Sequence, residues 1–215
     1  MAPKLTTEFV GTFFLVLIIA LCVTGGNADV ARLAPVAIGL GLMVLVYMGG
    51  HISGAHYNPA VTLAVFLRGG MEPGRAALYA VVQLVAAVAA TFTARGITGN
   101  MLAVAPAPGV GPAATLVVEG LFTFLLALVV LNVATAKATT GNQYYGAAIG
   151  STVLAAAFAG GGISGGAFNP AVGLGPAVAS LLSGAGFPGH AWIYLVGPCV
   201  GAAAAAMVFR LQKQE

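Results

Sequence analysis

Apolar residues in this chain form long uninterrupted stretches, separated by breaks that contain Gly, Pro or charged residues. Several stretches approach the roughly 20 apolar residues that a helix needs to cross a bilayer. The pattern therefore predicts six membrane-crossing helices. We expect them at about residues 5–24, 34–50, 76–95, 114–136, 145–160 and 190–210.

Two further apolar segments, 59–67 and 170–182, are too short to cross a bilayer. Each begins at an Asn-Pro pair, and proline at the first helical position presets a helix start. For one isolated copy, a plain helix-start signal would be the better interpretation. Two copies at matching positions instead favour a pair of half-helices that form part of a pore.

The two halves of the chain match each other when the sequence is shifted by 111 positions. An odd number of crossings per unit places the second copy upside down relative to the first. We therefore predict an all-α membrane domain spanning 1–215, built from inverted repeats 1–105 and 113–215. The superposed residues include Glu8 on Glu119, Asn58-Pro59-Ala60 on Asn169-Pro170-Ala171, and Ser53 on Ser164.

Composition supports a membrane protein, because only 6% of the residues are charged and 60% are hydrophobic. A soluble domain is about a quarter charged. The basic residues are scattered singly, which argues against nucleic-acid binding. Cys22 and Cys199 lie apart in apolar runs, so neither a disulfide nor a metal site is expected. We expect no cofactor, and the bilayer itself is a predicted partner.

The charge bias predicts a multi-pass protein with both termini in the cytoplasm, in a bacterial plasma membrane. This orientation places six basic residues inside and two outside, as the positive-inside rule requires. The first half-helix loop then enters from the cytoplasm and the second from outside. The inner residues are Lys4, Arg68, Arg75, Lys137, Arg210 and Lys213, and the outer ones are Arg32 and Arg95.

Glycine-rich stretches at 49–57 and 160–168 precede the half-helices. Non-helical backbone at membrane depth is tolerated where it is buried in protein or lines water. We therefore predict that both stretches are extended and present carbonyl oxygens to a pore. The pore-lining backbone is expected at Gly54, Ala55, His56, Tyr57, Ile163, Ser164 and Gly165.

Asn58 and Asn169 are predicted to cap the half-helices and to turn amide N–H groups toward a passing solute. The positive ends of both half-helices would meet at the centre, where they repel cations but not neutral hydrogen-bonding molecules. This pattern predicts a channel for small uncharged polar solutes.

The segments GHISGAHYNPAVTLAVF, GGISGGAFNPAVGLGPAV and TEFVGTFFLV resemble the aquaporin (major intrinsic protein) family over nearly the whole chain. The resemblance implies six tilted helices plus two half-helices, a separate pore in each subunit and a homotetramer. The pore motifs would be Asn58-Pro59-Ala60 and Asn169-Pro170-Ala171.

The resemblance also implies an outer constriction made of Ile38, Ala157, Gly166 and Val172. Water-selective members carry an Arg at the last of these positions, and glycerol channels place an Asp where Gly173 stands here. A filter that lacks this Arg resembles members that pass bulky neutral hydroxylated solutes, including metalloid hydroxides such as arsenous acid, as well as glycerol or water. The alternatives are an ordinary water or glycerol channel and, less favoured, a secondary transporter. No enzyme constellation is apparent.

Glu8 and Glu119 lie within apolar segments, where a carboxylate usually faces the protein interior. Bracing of the loop in the same repeat is favoured over a proton relay. For His51 and His56, loop bracing is favoured over pH gating. Tyr57 and Phe168 are expected to pack beside the loops.

Overall fold

The computed structural model describes residues 1–212, which form helices and loops and contain no strand. Lys213 lies outside these described residues. Six of the helices are long and apolar enough to cross a membrane, which confirms the all-α membrane fold. The helices are α1 (Ala2–Thr24), α2 (Ala28–Arg32), α3 (Ala34–Ser53), α4 (Pro59–Leu67), α5 (Pro73–Thr98), α6 (Pro112–Val130), α7 (Tyr145–Ser164), α8 (Pro170–Leu182) and α9 (Ile193–Gln212). Helix α6 continues into a π-helical turn, Leu131–Thr135, and Lys137–Thr139 forms a 3₁₀ turn.

The two halves of the chain pack in matching ways. Helix α1 packs against α3 and α5, and α6 packs against α7 and α9. Each half-helix crosses to the other half, because α4 packs on α9 and α8 packs on α5. Helices α3 and α7 join the halves. Their crossing requires glycine, since a Cβ at Gly39 would lie 2.8 Å from the carbonyl oxygen of Gly150.

The half-helices α4 and α8 have the bounds that the sequence predicts. In each, the Asn side chain caps the start and Pro occupies the first helical position. Pro fits there because the first turn has no intrahelical acceptor for its missing N–H. The short α2 was not expected. It follows Asn27, whose Oδ1 accepts hydrogen bonds from the N–H groups of Asp29 and Val30.

The prediction of extended backbone over 49–57 and 160–168 is wrong for the first part of each stretch. Helices α3 and α7 continue to Ser53 and Ser164, so Ile163 and Ser164 belong to a helix and not to the loop. In lipid, a helix satisfies its own backbone groups, and this outweighs the low helix propensity of glycine. Each helix ends at a glycine with positive φ, 96° at Gly54 and 89° at Gly165.

Candidate functional site

The two half-helices meet at their N-termini, where Asn58 and Asn169 stand. Asn58 Oδ1 accepts a hydrogen bond from Ala60 N at 2.8 Å, and Asn169 Oδ1 accepts one from Ala171 N at 2.9 Å. Each Asn therefore satisfies a backbone N–H that the helix leaves unpaired. Both positive helix ends face the same central region.

The amide groups of the two Asn side chains also tie the loops to each other. Asn58 Nδ2 donates to Phe168 O at 2.9 Å, and Asn169 Nδ2 donates to Tyr57 O at 2.9 Å. An amide nitrogen carries two N–H donors. Each Asn thus donates one N–H to the opposite loop, and its second N–H is not used in that bond.

Tyr57 and Phe168, the residues before the two Asn, hold strained backbone. Their φ angles are 48° and 47°, in the left-handed region that bulky residues seldom adopt. Such a conformation costs of order 1 to 3 kcal/mol and persists where the surroundings determine it. Here the carbonyl of each is fixed by the Asn of the other loop, and the N–H is fixed by a buried carboxylate.

The carboxylates that fix these N–H groups are Glu8 and Glu119, both fully buried. Glu8 accepts from Tyr57 N at 2.8 Å and from His56 N at 3.0 Å. Glu119 accepts from Phe168 N at 2.6 Å and from Ala167 N at 3.0 Å. The hydroxyls of Ser53 and Ser164 donate to Glu8 and Glu119 respectively, each at 2.7 Å.

The first loop has additional polar neighbours. His56 Nδ1 lies 3.0 Å from Thr62 Oγ1, and Gln83 Nε2 donates to Glu8 Oε2 at 2.8 Å and to Thr62 Oγ1 at 3.2 Å. All three side chains are buried. Gln83 and Thr62 were not singled out in the sequence. Gln83 could have been identified in the sequence, because it is a polar residue in the middle of an apolar stretch.

A cavity of about 460 Å³ connects these parts. Its wall includes Asn58 and Asn169, together with all four residues expected at the constriction: Ile38, Ala157, Gly166 and Val172. Of the expected loop residues, the wall includes Ala55, His56, Tyr57 and Gly165, and it does not include Gly54, Ile163 or Ser164.

Several sequence-predicted residues thus come together on the cavity wall, and His51, like Gly54, Ile163 and Ser164, does not. His51 is exposed in the last turn of α3 and is not part of the cavity wall. His56 is buried and bonded to Thr62. The remaining wall is mostly apolar, with residues such as Leu15, Leu42, Val61 and Ile149.

The whole chain also matches known proteins. The family model described as "MIP: Major intrinsic protein" matches residues 2–209. The chain is 39% identical to "Aquaporin NIP1-4" of Oryza sativa subsp. japonica, over 96% of this chain and 76% of that protein. It is 33% identical to "Glycerol uptake facilitator protein-like 6" of Lactiplantibacillus plantarum, over 99% of each.

The fold is similar to that in the "X-ray structure of the aquaglyceroporin from Plasmodium falciparum". The TM-score is 0.84, with 97% of this chain and 95% of the other covered, at 23% sequence identity. At this identity, the likeness shows the shared architecture of helices and half-helices.

Proposed function

Because the chain belongs to the major intrinsic protein family, we propose that its pore passes bulky neutral hydroxylated solutes. Members of this family are passive channels and not enzymes, and this multi-pass membrane chain is a channel of the aquaporin and aquaglyceroporin class. Our proposal concerns which solutes fit. Undissociated metalloid hydroxides such as arsenous acid are the sharper candidates, with glycerol or water also passing.

The observation that carries the proposal is the set of side chains at the expected constriction. Ile38, Ala157, Gly166 and Val172 are uncharged, and none has a side-chain hydrogen-bonding group. No Lys or Arg occurs between Lys137 and Arg210, so no shift of alignment within this range would supply a charge. Selection at such a constriction rests on size and on the exclusion of ions.

The central site supplies the polar contacts that a hydroxylated solute needs. One N–H of each Asn side chain remains for a solute after the bonds to the opposite loop are made. The half-helix ends add positive potential, which a neutral molecule tolerates and a cation does not. A hydroxyl oxygen can accept from these donors while the apolar wall contacts the rest of the solute.

An ordinary glycerol channel is the second candidate. It is favoured by the bacterial relative whose name includes glycerol uptake and which matches over 99% of both chains. Gly173, where glycerol channels carry Asp, favours the broader solute range. Water and glycerol permeability alone would not separate the two candidates, so a bulkier solute is needed.

We further propose a homotetramer in a bacterial plasma membrane, with both termini in the cytoplasm. This orientation would place Lys4, Arg68, Arg75, Lys137 and Arg210 on the cytoplasmic side, in accord with the positive-inside rule. The inverted orientation of repeats 1–105 and 113–215 accords with the paired helix contacts. Cross-linking in native membranes would test the tetramer, and accessibility of terminal tags would test the orientation.

The test of the solute proposal is a permeability panel in liposomes of matched protein content, with water, glycerol, urea and arsenous acid. We expect arsenous acid and glycerol to cross in proportion to their gradients, without saturation and without a dependence on proton or sodium gradients. Saturating, ion-coupled flux would indicate a transporter. Water flux without arsenous acid flux would contradict the broad-solute proposal.

A further inference from the structure

A charged side chain stands on the outer part of the cavity wall. Arg32, the last residue of α2, lines the same cavity as the four constriction residues, beside Val23 and Ala34 at the ends of α1 and α3. Among the described residues on this wall, no other is Arg or Lys and none is Asp or Glu. The fixed charge along this wall is therefore that of one guanidinium.

We propose that Arg32 makes the outer pore electropositive and disfavours cations there, before they reach the constriction. Val172 brings no charge to the constriction. Without Arg32, only the positive ends of the two half-helices at the centre would repel cations. A charge at the mouth of a cavity with low-dielectric walls has its field focused into that cavity. This inference rests on the channel class and is independent of the solute that the channel carries.

The neighbouring Asp29 sets the strength of this effect. Arg32 Nη1 lies 3.7 Å from Asp29 Oδ1, and both side chains are more than four-fifths exposed, 81% and 88%. Asp29 does not line the cavity. It therefore offsets part of the Arg32 potential from outside, and its removal should raise the positive potential in the pore. Opposite effects of the two residues are a specific expectation of this geometry.

The potential can be measured without relying on permeation, through the rate at which charged reagents reach a thiol in the pore. The parent protein would carry Cys22→Ser and Cys199→Ser, which leave no other thiol, and Ala157→Cys as the reporter on the wall. Three methanethiosulfonates of similar size, one with a sulfonate, one with a trimethylammonium group and one neutral, would be applied from outside. The ratio of anion to cation rates reports the potential, and the neutral reagent reports access.

With the parent, we expect the anionic reagent to react faster than the cationic one, relative to their rates with a free thiol. Arg32→Gln should lower the ratio about two- to tenfold at low salt, the range expected for one charge at about 10 Å in a partly screened medium. Asp29→Asn should raise the ratio. Both changes should shrink at 0.5 M salt, because the Debye length at 0.1 M is already about 10 Å.

Arg95→Gln is the matched control. Arg95 is the second outer arginine by the proposed orientation, but it lines a second cavity with Ser180 and His190, and this cavity shares only residues 102–105 with the first. It should leave the ratio unchanged, whereas an equal shift in Arg95→Gln would show a general surface-charge effect and overturn the proposal. An unchanged ratio in Arg32→Gln at low salt would also overturn it. If Ala157→Cys fails to fold or react, Val153→Cys, a half-buried position that lines the first cavity and not the second, gives the same comparison.

Discussion

The two re-entrant loops share one backbone design but are braced differently. Both end in an aromatic residue with left-handed φ and an Asn that caps a half-helix, and both are held by a buried Glu and a Ser. The first loop adds His56, Thr62 and Gln83, which bond to one another or to Glu8. At the matching places, the second loop has Ala167, Gly173 and Pro198.

Two tyrosines at equivalent positions in the two repeats show that Pro198 occupies the place of Gln83. Tyr79 donates to Ser53 O at 2.9 Å, and Tyr194 donates to Ser164 O at 2.6 Å, so the two occupy equivalent places. Gln83 and Pro198 each follow four residues later. Gly173 is small for a reason of packing, because a Cβ there would overlap Tyr194.

This difference between the loops separates the requirement for a solute-contacting surface from the requirement for support behind it. The atoms that we propose face the solute are duplicated, since each loop has an Asn that donates to a backbone carbonyl of the other loop. The support behind the solute-facing surface is not duplicated. The first loop has a network in which one lost bond can be replaced, whereas the second depends more heavily on Glu119.

The largest effect on flux is expected from substitution of the Asn residues, Asn58 and Asn169, that are duplicated in the two loops. Asn58→Asp or Asn169→Asp removes the donor to the opposite loop and places a negative charge at both positive helix ends. We expect neutral-solute flux to fall by about an order of magnitude, or cations to enter, and to a similar degree in both variants. Liposome shrinkage and conductance would measure this, with Asn132→Asp at the π-helical turn as the control. Wild-type flux and selectivity in both Asn variants would refute the central site.

A smaller but asymmetric effect is expected from the carboxylates. In Glu8→Gln, the Gln83 amide can rotate so that Oε1, which has no partner now, accepts from the new amide. In each variant one loop N–H loses its acceptor, Tyr57 N–H or Phe168 N–H. Glu119→Gln has no neighbour like Gln83, so its new amide lacks an acceptor as well. An unpaired buried group costs about 1 to 3 kcal/mol.

We therefore expect Glu119→Gln to lower the unfolding temperature in detergent more than Glu8→Gln does. Gln83→Leu serves as the control, because combining it with Glu8→Gln should remove the advantage of the first loop. Equal losses in the two single variants would show that the Gln83 network does not support Glu8. A loss of proton-driven flux at wild-type stability would instead favour a proton relay.

The smallest effect is expected from Thr62→Val, which keeps the shape of the side chain and removes its hydroxyl. The variant loses the bonds to His56 and Gln83 and the bond that the hydroxyl donates to Asn58 O, and it should be destabilised by about 1 kcal/mol. Solute ratios should stay as in wild type, because Glu8 still holds the first loop. Thermal unfolding and the liposome panel test this together, with Thr152→Val in α7 as the control. A changed solute ratio would show that the network shapes the pore directly.

The sequence predicted the half-helix bounds because Asn-Pro is a local signal, with the cap and the first helical residue adjacent in the chain. The resemblance to the aquaporin family placed Ile38, Ala157, Gly166 and Val172 at one constriction, and all four line one cavity. The sequence did not predict that α3 and α7 reach Ser53 and Ser164. Lipid favours helix at glycines that would end one in water.

The bonds between the loops could not be predicted either. Asn58 and Phe168 are 110 positions apart, and their contact depends on the way the halves pack. The neighbours of Glu8 are similarly distant, since Gln83 is 75 positions away. Periodicity and motif spacing describe one element at a time, so they carry no information about such pairs.

The central claim is that Val172 lines an uncharged constriction, and it can be set against the matching residue of the first loop. Val61 follows the first Asn-Pro-Ala as Val172 follows the second, and both line the cavity. If the constriction lies at the outer loop, Val172→Leu should slow arsenous acid relative to water more than Val61→Leu does. Leu adds bulk without charge in both variants.

The most direct measurement is the ratio of water to arsenous acid permeability in Val172→Arg, in liposomes of matched protein content. Arg adds bulk and a donor that can orient water, so we predict a severalfold rise in this ratio even if both absolute rates fall. Val172→Leu should give a smaller rise in the same direction. An unchanged ratio in correctly inserted Val172→Arg protein would mean that Val172 does not line the constriction, and it would contradict the account.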